Sequence, residues 1–555
     1  MCIPKVLVPR ERWIMRGFVA VIIICSCILI FNNYLSQTQT EPKIGGKYTE
    51  GLLGQPRYIN PILSQTNDVD RDLAEIIFSR LFTYDNQGNI VPGIAQSYTI
   101  SEDGLVYEIK LKDNINWHDG ERLTAEDIIF TIKTIQDKAY GSPLRIIWDG
   151  IAIEQIDELT VKFTIQNPYA PFLHNLTFGI LPKHLWAGIS GQNFQLADHN
   201  LFNPIGSGPY KFKDLNKNAE GEIQSITLVR HEGSNLNPFI ETVIFKFYNS
   251  HIDLINAYKQ GQIDGFTPIS AINQPTINKD TNVYSLNMPI YHAVFFNQTE
   301  SKPLSDKSVR TALRYATDKK EILEKVLQNQ GTIINSPLLI DLEDINFDFD
   351  LEKAKELLEE SYWTDTDDDG ILDKEMDSDD EEPVKLEINL ITTDWPELNG
   401  AAELLKEQWE KVGAIVNLEI IDPMSMNYDY IKTRNYQALL FGEILGADPD
   451  PFAFWHSSQK KDPGLNLSMY QNKDADKLLE DGRQELDPEK RIEKYKEFQK
   501  LVAEDAPAIF LYSPTYLYSV DNKVKGISLG KLSLPSQRFC QIENWYINTK
   551  RIEKH

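Results

Sequence analysis

Cysteine is scarce in this chain, which has four in 555 residues. Three of them fall within the first 35 residues, and the fourth, Cys540, lies near the C-terminus. If the remainder of the chain is exported, one cysteine cannot close an internal disulfide bond there. Its stability must therefore come from packing.

Basic residues are also in deficit. Lys and Arg number 56 against 82 Asp and Glu, and the formal net charge is -26. Binding to nucleic acid needs a basic face, so this composition argues against it. The hydrophobic share of 41% and the charged share of 25% are typical of globular proteins, and the length is enough for two or more lobes.

Recognisable catalytic motifs are missing. The nine histidines are scattered, with no HExxH or Cys/His cluster, so catalytic zinc is not expected. Ser207 stands between two glycines, but the surrounding residues do not form a G-x-S-x-G elbow. The stretch Asn203–Phe212 has no Gly-Lys-Ser/Thr end, which argues against a P-loop and favours a structural turn that leads into a strand.

The first 35 residues contain the longest apolar run. Basic residues up to Arg16 precede the uncharged segment Gly17–Phe31, a pattern typical of an export signal or a membrane anchor. No A-x-A-like cleavage site follows, which favours an uncleaved anchor with its N-terminus inside the cell. A removed signal and a lipid-modified Cys27 are the alternatives. Residues 36–46 are polar and are predicted to be a linker.

Periodic patterns predict both strands and helices in the remainder. Asp68 or Asp70 is predicted to cap a helix, and Thr124 with Asp127 is predicted to open another. Residues 107–111 and 159–165 alternate like strands with one wet face.

A strand, a helix and a second strand follow each other in the second half of the chain. Val384–Ile391 and Ile415–Ile421 alternate like strands, and Asn399 is predicted to cap the helix between them. This succession predicts a parallel pair with a right-handed crossover. The apolar residues 437–445 are predicted to add a strand to the same sheet.

In the stretch Tyr436–Trp455, the predicted strand stops at Gly446 and is followed by Asp448. Burying a carboxylate at the end of a buried strand costs free energy unless a cation or hydrogen-bond donors bind it. In open α/β sheets, ligands lie beyond the carboxyl ends of the strands. Asp448 is therefore either a turn cap or part of a ligand cleft.

Several segments together resemble a known family. They are LKDNINWHDGERLTAEDIIFTI (111–132), NPIGSGPYKF (203–212), LINAYKQGQIDG (254–265) and PLSDKSVRTALRYATDKKEI (303–322). Their order and spacing resemble the extracellular solute-binding proteins, family 5, of ABC importers, which include oligopeptide- and dipeptide-binding proteins. The resemblance runs from about Lys47 to about Ile547.

The resemblance implies an α/β architecture, the class II periplasmic-binding-protein fold, with two lobes and an inserted strand-rich subdomain, preceded here by the membrane anchor at 1–35. The implied divisions are a first lobe at 47–85, 205–287 and 512–555, the insertion at 86–204, and a second lobe at 288–511. The chain would cross between the lobes near 288 and 511.

The resemblance also implies a ligand site. In peptide-binding members a peptide lies between the lobes as an added strand, and an aspartate matching Asp448 takes its α-ammonium group. Leu445 stands where the family often has an aromatic residue. The residues expected at the ligand are Gln65, Thr66, Asn67, Tyr291, Trp395, Leu445, Gly446, Ala447, Asp448 and Trp455, with core packing an equal alternative for the two tryptophans.

An acidic loop resembles a calcium-binding loop. Its acids Asp365, Asp367, Asp369 and Asp373 occupy positions 1, 3, 5 and 9, Gly370 is at position 6, and Ile371 would offer a carbonyl at position 7. Position 12 is Met376 instead of glutamate. The loop either binds a structural calcium ion or is a solvated acidic hairpin, and the sequence leaves both alternatives open. No other cofactor is expected.

Two classes of function follow. The first is a monomeric receptor, tethered at the outer face of the membrane, that captures short peptides and delivers them to ABC permease subunits. The same fold could instead bind a nickel complex, haem or an oligosaccharide. The second class is an exported hydrolase that uses the cleft at Asp448.

Overall fold

The computed structural model describes residues 9–234, 236–267, 280–340, 342, 347–375 and 383–554. Its elements form an N-terminal helix and two α/β lobes, the first of which carries a second, smaller sheet. The α/β class predicted from the sequence is confirmed.

The N-terminal helix, the first lobe and its small sheet contain α1 Pro9–Gln37, β1 Thr38–Lys43, β2 Lys47–Leu53, α2 Asp68–Ile77, β3 Phe82–Tyr84, β4 Ile90–Pro92, β5 Ala95–Ile100, β6 Val106–Leu111, α3 Ala125–Gln136, α4 Arg145–Trp148, β7 Ala152–Asp157, β8 Thr160–Thr164, α5 Lys183–Trp186, α6 Gly191–Phe194, β9 Tyr210–Lys217, β10 Ile223–Arg230, β11 Thr242–Tyr248, α7 His251–Lys259, β12 Gly265–Phe266 and β13 Thr281–Asn287. The second lobe contains β14 Ile290–Phe296, α8 Lys302–Ser305, α9 Lys307–Tyr315, α10 Lys319–Lys325, β15 Gly331–Ile333, α11 Leu351–Glu360, β16 Asp373–Lys374, β17 Val384–Lys385, β18 Glu387–Thr393, α12 Pro396–Glu410, β19 Ile415–Ile421, α13 Pro423–Ser425, β20 Ala438–Ile444, α14 Phe452–Trp455, α15 Lys473–Gln484 and α16 Pro488–Asp505. The last strands are β21 Ala508–Asp521 and β22 Asn548–Glu553.

One sheet of 12 strands runs through both lobes, in the order β19-β18-β20-β14-β21-β12-β2-β11-β10-β9, with β13 and β15 also paired to β21. The long strand β21 belongs to both lobes. Its first part pairs with β14, where His292 lies opposite Tyr512, and its second part pairs with β13, where Asn287 lies opposite Thr515. The chain therefore passes between the lobes at 287–290 and again at 512–515.

Each lobe has its own hydrophobic core. The core of the first lobe combines residues of β2, α2 and the small sheet with C-terminal residues such as Phe539 and Trp545. The second lobe has one core on each face of its part of the sheet, around Leu440 on one face and around Phe510 on the other. The cores are separate, and the lobes are joined where β13 leads into β14 and along β21.

The small sheet of the first lobe has the order β5-β6-β8-β7. Along β6 the residues alternate as predicted, with Tyr107 and Ile109 buried and Glu108 and Lys110 exposed. Helix α3 covers this sheet, and the Asp127 carboxylate accepts the N–H of Thr124 at 2.9 Å, as the predicted helix start requires.

The strand–helix–strand unit of the second lobe is confirmed. β18 and β19 are parallel, and β20 is parallel to β18 on its other side. Helix α12 begins at Pro396, so the prediction that Asn399 caps it is wrong. Proline is favoured in the first turn of a helix, where its missing N–H costs nothing, and the helix starts there instead.

The start of α2 also differs from the prediction. Asn67 is the cap, because its side-chain oxygen accepts the N–H of Val69 at 2.9 Å. Asp70 instead accepts the N–H groups of Arg57 and Tyr58 at 2.7 and 2.9 Å. Asn and Asp are equally good caps, so local sequence does not separate them.

The turn at 203–212 packs against the end of α2. The N–H of Gly208 donates to the carbonyl of Ile77 at 2.8 Å. A Cβ atom on Gly206 would lie 1.9 Å from the same carbonyl oxygen, so only glycine fits. The prediction of a structural turn that leads into a strand, β9, is confirmed.

Helix α1 has no buried side chain among those that the structure describes. Its segment Trp13–Gln37 has 25 residues, contains an 18-residue window with a mean hydropathy of 2.7, and is long and apolar enough to cross a membrane. Residues 1–8 of the predicted anchor lie outside the described residues.

The predicted linker at 36–46 is instead mostly ordered by pairing. β1 pairs antiparallel with β22, from Thr38 opposite Glu553 to Lys43 opposite Asn548. Arg551 reinforces the pair by donating from Nη1 to Thr38 Oγ1 at 2.6 Å. Polar composition indicated a linker because the partner strand lies at the other end of the chain and no local pattern reveals it.

Candidate functional site

The loop after β20 starts at a glycine. Gly446 has a φ of +79°, a left-handed conformation that glycine adopts without a steric penalty. Just before it, Leu445 is buried, and its N–H donates to the carbonyl of Pro289 at 2.8 Å. Ala447 and Asp448 then lie beyond the carboxyl end of β20, beside the place where the chain passes between the lobes.

Asp448 is bound by an arginine of its own lobe. Its side chain is 11% exposed, and Arg491 of α16 donates from Nη1 to Oδ2 at 2.6 Å and from Nη2 to Oδ1. Two parallel hydrogen bonds are the strongest arrangement of this pair. His174 of the first lobe approaches the same carboxylate, with Nε2 3.6 Å from Oδ2, while its Nδ1 lies 3.1 Å from Tyr84 Oη. Asp448 therefore lies where the lobes meet.

A second ion pair lies beside the first. Arg483 of α15 donates from Nη2 to Asp450 Oδ2 at 2.9 Å. The guanidinium carbon of Arg483 is 5.2 Å from the ring centroid of Tyr169, which belongs to the first lobe, and 4.0 Å from that of Phe452. Both distances fall in the range of cation–π contacts, so this pair also contacts the opposite lobe.

Burial and charge set the protonation states here. Burial lowers the pKa of His174, and the nearby Arg491 adds to this effect against the opposing charge of Asp448. Burial would also lower the pKa of Arg491, but the hydrogen bonds and charge of Asp448 outweigh it and raise that pKa. Burial raises the pKa of Tyr169 to about 12. At neutral pH a neutral imidazole and a phenol thus face an arginine–aspartate pair.

The predicted residues Gln65, Thr66 and Asn67 lie in the first lobe at the start of α2. Arg71 Nη1 donates to the carbonyl of Gln65 at 3.0 Å, and Asn67 Nδ2 donates to the carbonyl of Gln55 at 3.0 Å. Thr66 is exposed. These contacts fix the backbone of the segment from within the first lobe.

The three predicted aromatic residues occupy different environments. Tyr291 and Trp455 are fully buried in one core of the second lobe, where both rings pack against Phe510 with centroids 5.5 and 5.7 Å away. Trp395 is 57% exposed at the start of α12. For Trp455 the structure therefore shows the core-packing alternative.

The acidic loop brings three of its predicted ligands together. Carboxylate oxygens of Asp365, Asp367 and Asp369 lie within 4.8 Å of one another. Lys385 binds Asp369 and lies 3.4 Å from Asp367. Asp373 turns away and accepts hydrogen bonds from Thr366 Oγ1 at 2.8 and 2.9 Å.

The acidic loop is also held by a hydrogen bond from its own backbone. The N–H of Ile371 donates to Asp369 Oδ1 at 2.8 Å, which closes the turn from within. Met376, the departure from the calcium pattern, lies outside the described residues. Calcium at this loop stays a prediction.

Comparison with known proteins gives the family. Residues 89–465 match the family model described as bacterial extracellular solute-binding proteins, family 5 Middle. The chain belongs to this family. The resemblance found in the sequence, and the two-lobed α/β fold that it implied, are therefore confirmed for this family 5 protein.

Relatives align over nearly the whole chain. The oligopeptide-binding protein AppA of Bacillus subtilis is 28% identical over 537 residues, which is 94% of this chain and 95% of that protein. The structure of AppA from Bacillus subtilis in complex with a nonapeptide superposes with a TM-score of 0.73 at 27% identity, covering 92% of this chain and 100% of the other. NikZ from Campylobacter jejuni in complex with Ni(L-His) gives a TM-score of 0.73 at 26% identity, with 90% and 99% covered.

The contacts of Asp448 in this family 5 protein were not found from the sequence. Arg491 lies four residues before Tyr495 on the face of α16 that Phe498 also occupies, and both aromatic side chains are buried. A cation on an apolar helix face signals a buried partner, and that signal was available. His174 lies in a short 3₁₀ helix, Ala170–Leu176, which is too short for a sequence period to identify the direction of a side chain.

Proposed function

We propose that this family 5 protein is the substrate-binding component of an ABC importer, and that it captures short peptides between its lobes as a monomer. The observation that carries the proposal is Asp448, which lies at the carboxyl end of β20 and against His174 of the opposite lobe. The names of its relatives, an oligopeptide-binding protein among them, support the same class of ligand.

Binding requires the lobes to part and close again. A peptide entering as an extended strand would be held mainly through its backbone, which tolerates many side chains. Asp448 and the loop 445–448 would contact its amino end from the second lobe, and 65–67 would lie along it from the first. A guest that bridges both lobes has a higher affinity for the closed arrangement, so it shifts the equilibrium toward closure.

We infer that α1 is retained as a membrane anchor that holds the receptor beside its permease, at the outer face of the membrane. The apolar length of the Trp13–Gln37 segment supports a span, and β1 follows it directly and pairs with β22. The mass of the mature protein tests this inference. The mass of a chain with an intact N-terminus is expected, and the mass of a chain that begins at or after Cys27 would contradict it.

Calorimetric titration of the full-length protein in detergent with a pool of di- to pentapeptides tests the peptide proposal. Wild-type protein should bind, and Asp448→Asn should bind more weakly. Exposed Asp368→Asn is the matched control and should leave binding unchanged. If no peptide gives a heat of binding, and a nickel–histidine complex, haem or an oligosaccharide does, the peptide assignment is overturned.

The NikZ structure is the reason to include the nickel–histidine complex among the ligands. A hydrolase is the other alternative, and it predicts turnover of a bound peptide. Mass spectrometry of peptides incubated with the protein separates the two, since a receptor returns them intact.

For the acidic loop we propose a structural role, with calcium as the ligand to be tested. The three clustered carboxylates support it, whereas the contacts of Lys385 supply a charge partner without any metal. Calcium titration followed by thermal unfolding is the test. A rise in melting temperature that Asp367→Asn abolishes supports calcium, and no rise supports the solvated hairpin.

A further inference from the structure

The carboxylate expected to meet the guest's amino end already has a permanent partner. Asp448 and Arg491 are 11% and 12% exposed, and both carboxylate oxygens accept from the guanidinium. Asp450 and Arg483 form the second pair alongside. The formal charges of the four side chains sum to zero, so this end of the cleft presents no net negative charge from them.

Both pairs belong to the second lobe alone. The aspartates are on the loop after β20, and the arginines are at the end of α15 and in the first turn of α16. Leu445 of that loop, Leu479 of α15 and Tyr495 of α16 share one core, so loop and helices move together. Arg491 therefore stays on Asp448 when the lobes part.

The position of Arg491 leaves only part of Asp448 for a guest. The guanidinium takes one hydrogen bond at each oxygen, and the remaining side of Oδ2 faces His174 of the first lobe. An ammonium group placed there would be attracted by the carboxylate and repelled by the guanidinium that is hydrogen-bonded to both oxygens of that carboxylate. Because Coulomb energy falls as the inverse of distance, the two contributions largely cancel.

We infer that Arg491 is a specificity-determining residue that makes this receptor nearly indifferent to charge at the guest's amino end. The substrate class is therefore peptides with either a free or a blocked N-terminus, held mainly through their backbone. This inference rests on the proposed peptide-binding function and deepens it.

The charge balance is tested with variants at the two positions. The ligands are the tightest-binding peptide from the pool and its N-acetylated form, and the measured quantity is the ratio of their dissociation constants. Wild type should give a ratio near one. Arg491→Gln leaves the carboxylate unbalanced and should shift the ratio in favour of the free amine by about tenfold or more.

Two further variants complete the series. Asp448→Asn leaves the guanidinium unbalanced and should shift the ratio toward the acetylated peptide. The double variant Asp448→Asn with Arg491→Gln is neutral again and should return the ratio to that of wild type. Arg491→Lys keeps the charge, so its ratio should also stay near that of wild type, and thermal unfolding of each variant verifies its folding.

The outcomes separate the inference from the function beneath it. If peptides bind wild type but Arg491→Gln weakens both forms equally, Arg491 is only structural and the inference is overturned. A strong preference of wild type for the free amine overturns it as well. If no peptide binds wild type, the proposed function itself fails, and the inference fails with it.

Discussion

Arg538 donates two hydrogen bonds to the carboxylate of Asp72 inside the first lobe, from Nη1 to Oδ1 at 2.9 Å and from Nη2 to Oδ2 at 2.5 Å. The same guanidinium lies 3.1 Å from Glu50 Oε1, and Tyr518 donates to Glu50 Oε2 at 3.0 Å. Arg538 and both acidic side chains are at most 5% exposed. One cation thus ties the C-terminal segment to β2 and α2.

Replacing Arg538 by Met should destabilise the protein by about 3–5 kcal/mol, because two buried carboxylates lose their cation while the methylene volume is kept. Chemical denaturation monitored by tryptophan fluorescence measures the change. Arg122→Met is the control: its ion pairs are 41% exposed at the arginine and should contribute less than about 1 kcal/mol. Equal losses in the two variants would contradict this account of the network.

Arg310→Lys should destabilise the second lobe by about 1–3 kcal/mol, because a single ammonium cannot replace a planar fork. Arg310 is buried and donates to four carbonyls, those of Leu304 and Ser305 beside it and those of Asp505 and Ala506 at the end of α16. Thermal unfolding measures the effect. The exchange Lys307→Arg at an exposed position of the same helix is the control and should leave the melting temperature unchanged. A similar fall in the melting temperature of this control would refute the stabilising role of the Arg310 guanidinium.

Glu443 should make stability fall as pH rises. It is buried, Tyr291 Oη donates to its Oε2, and burial raises its pKa to about 8 from an ordinary value of 4.5. A group whose folded pKa is raised contributes stability that is fully present below the unfolded pKa and is lost as pH rises through the folded one. The slope between pH 5 and 8 can reach about 1.4 kcal/mol per pH unit.

Glu443→Gln should remove that slope, since the amide keeps the shape and cannot ionise. Denaturation of the wild type and the variant at several pH values gives the difference. Glu419→Gln, on the exposed side of β19, is the control and should parallel wild type. If the wild type and Glu443→Gln also ran parallel, burial of a neutral Glu443 would be ruled out.

Local regularity explains what the sequence reveals. The unit β18–α12–β19 was predictable because its strand and helix periods all fall within 40 residues of sequence. The role of Asp127 at the start of α3 was predictable because its partner Thr124 lies three residues away. The structural turn at 203–212 was predictable from its glycines. These features depend on neighbours along the chain.

Long-range partners explain what the sequence leaves out. β1 pairs with a strand at the other end of the chain, Arg538 meets Glu50 and Asp72, and Asp448 meets Arg491 and His174 from other elements. The sequence identified Asp448 as a carboxylate that needs a positive partner. It could not tell that this partner is an arginine of the same chain, because the fold alone brings α16 to the end of β20.

The most direct test of clamping is the distance between the lobes with and without a peptide. Spin labels at Ile156→Cys in the first lobe and Tyr428→Cys in the second are suitable, since both side chains are about half exposed, at 49% and 58%. The background carries Cys540→Ala and serines at positions 2, 25 and 27. Pulsed electron resonance should show a distance distribution that narrows and shortens when a peptide that binds in calorimetry is added. An unchanged distribution at saturating peptide would contradict closure of the two lobes around their guest.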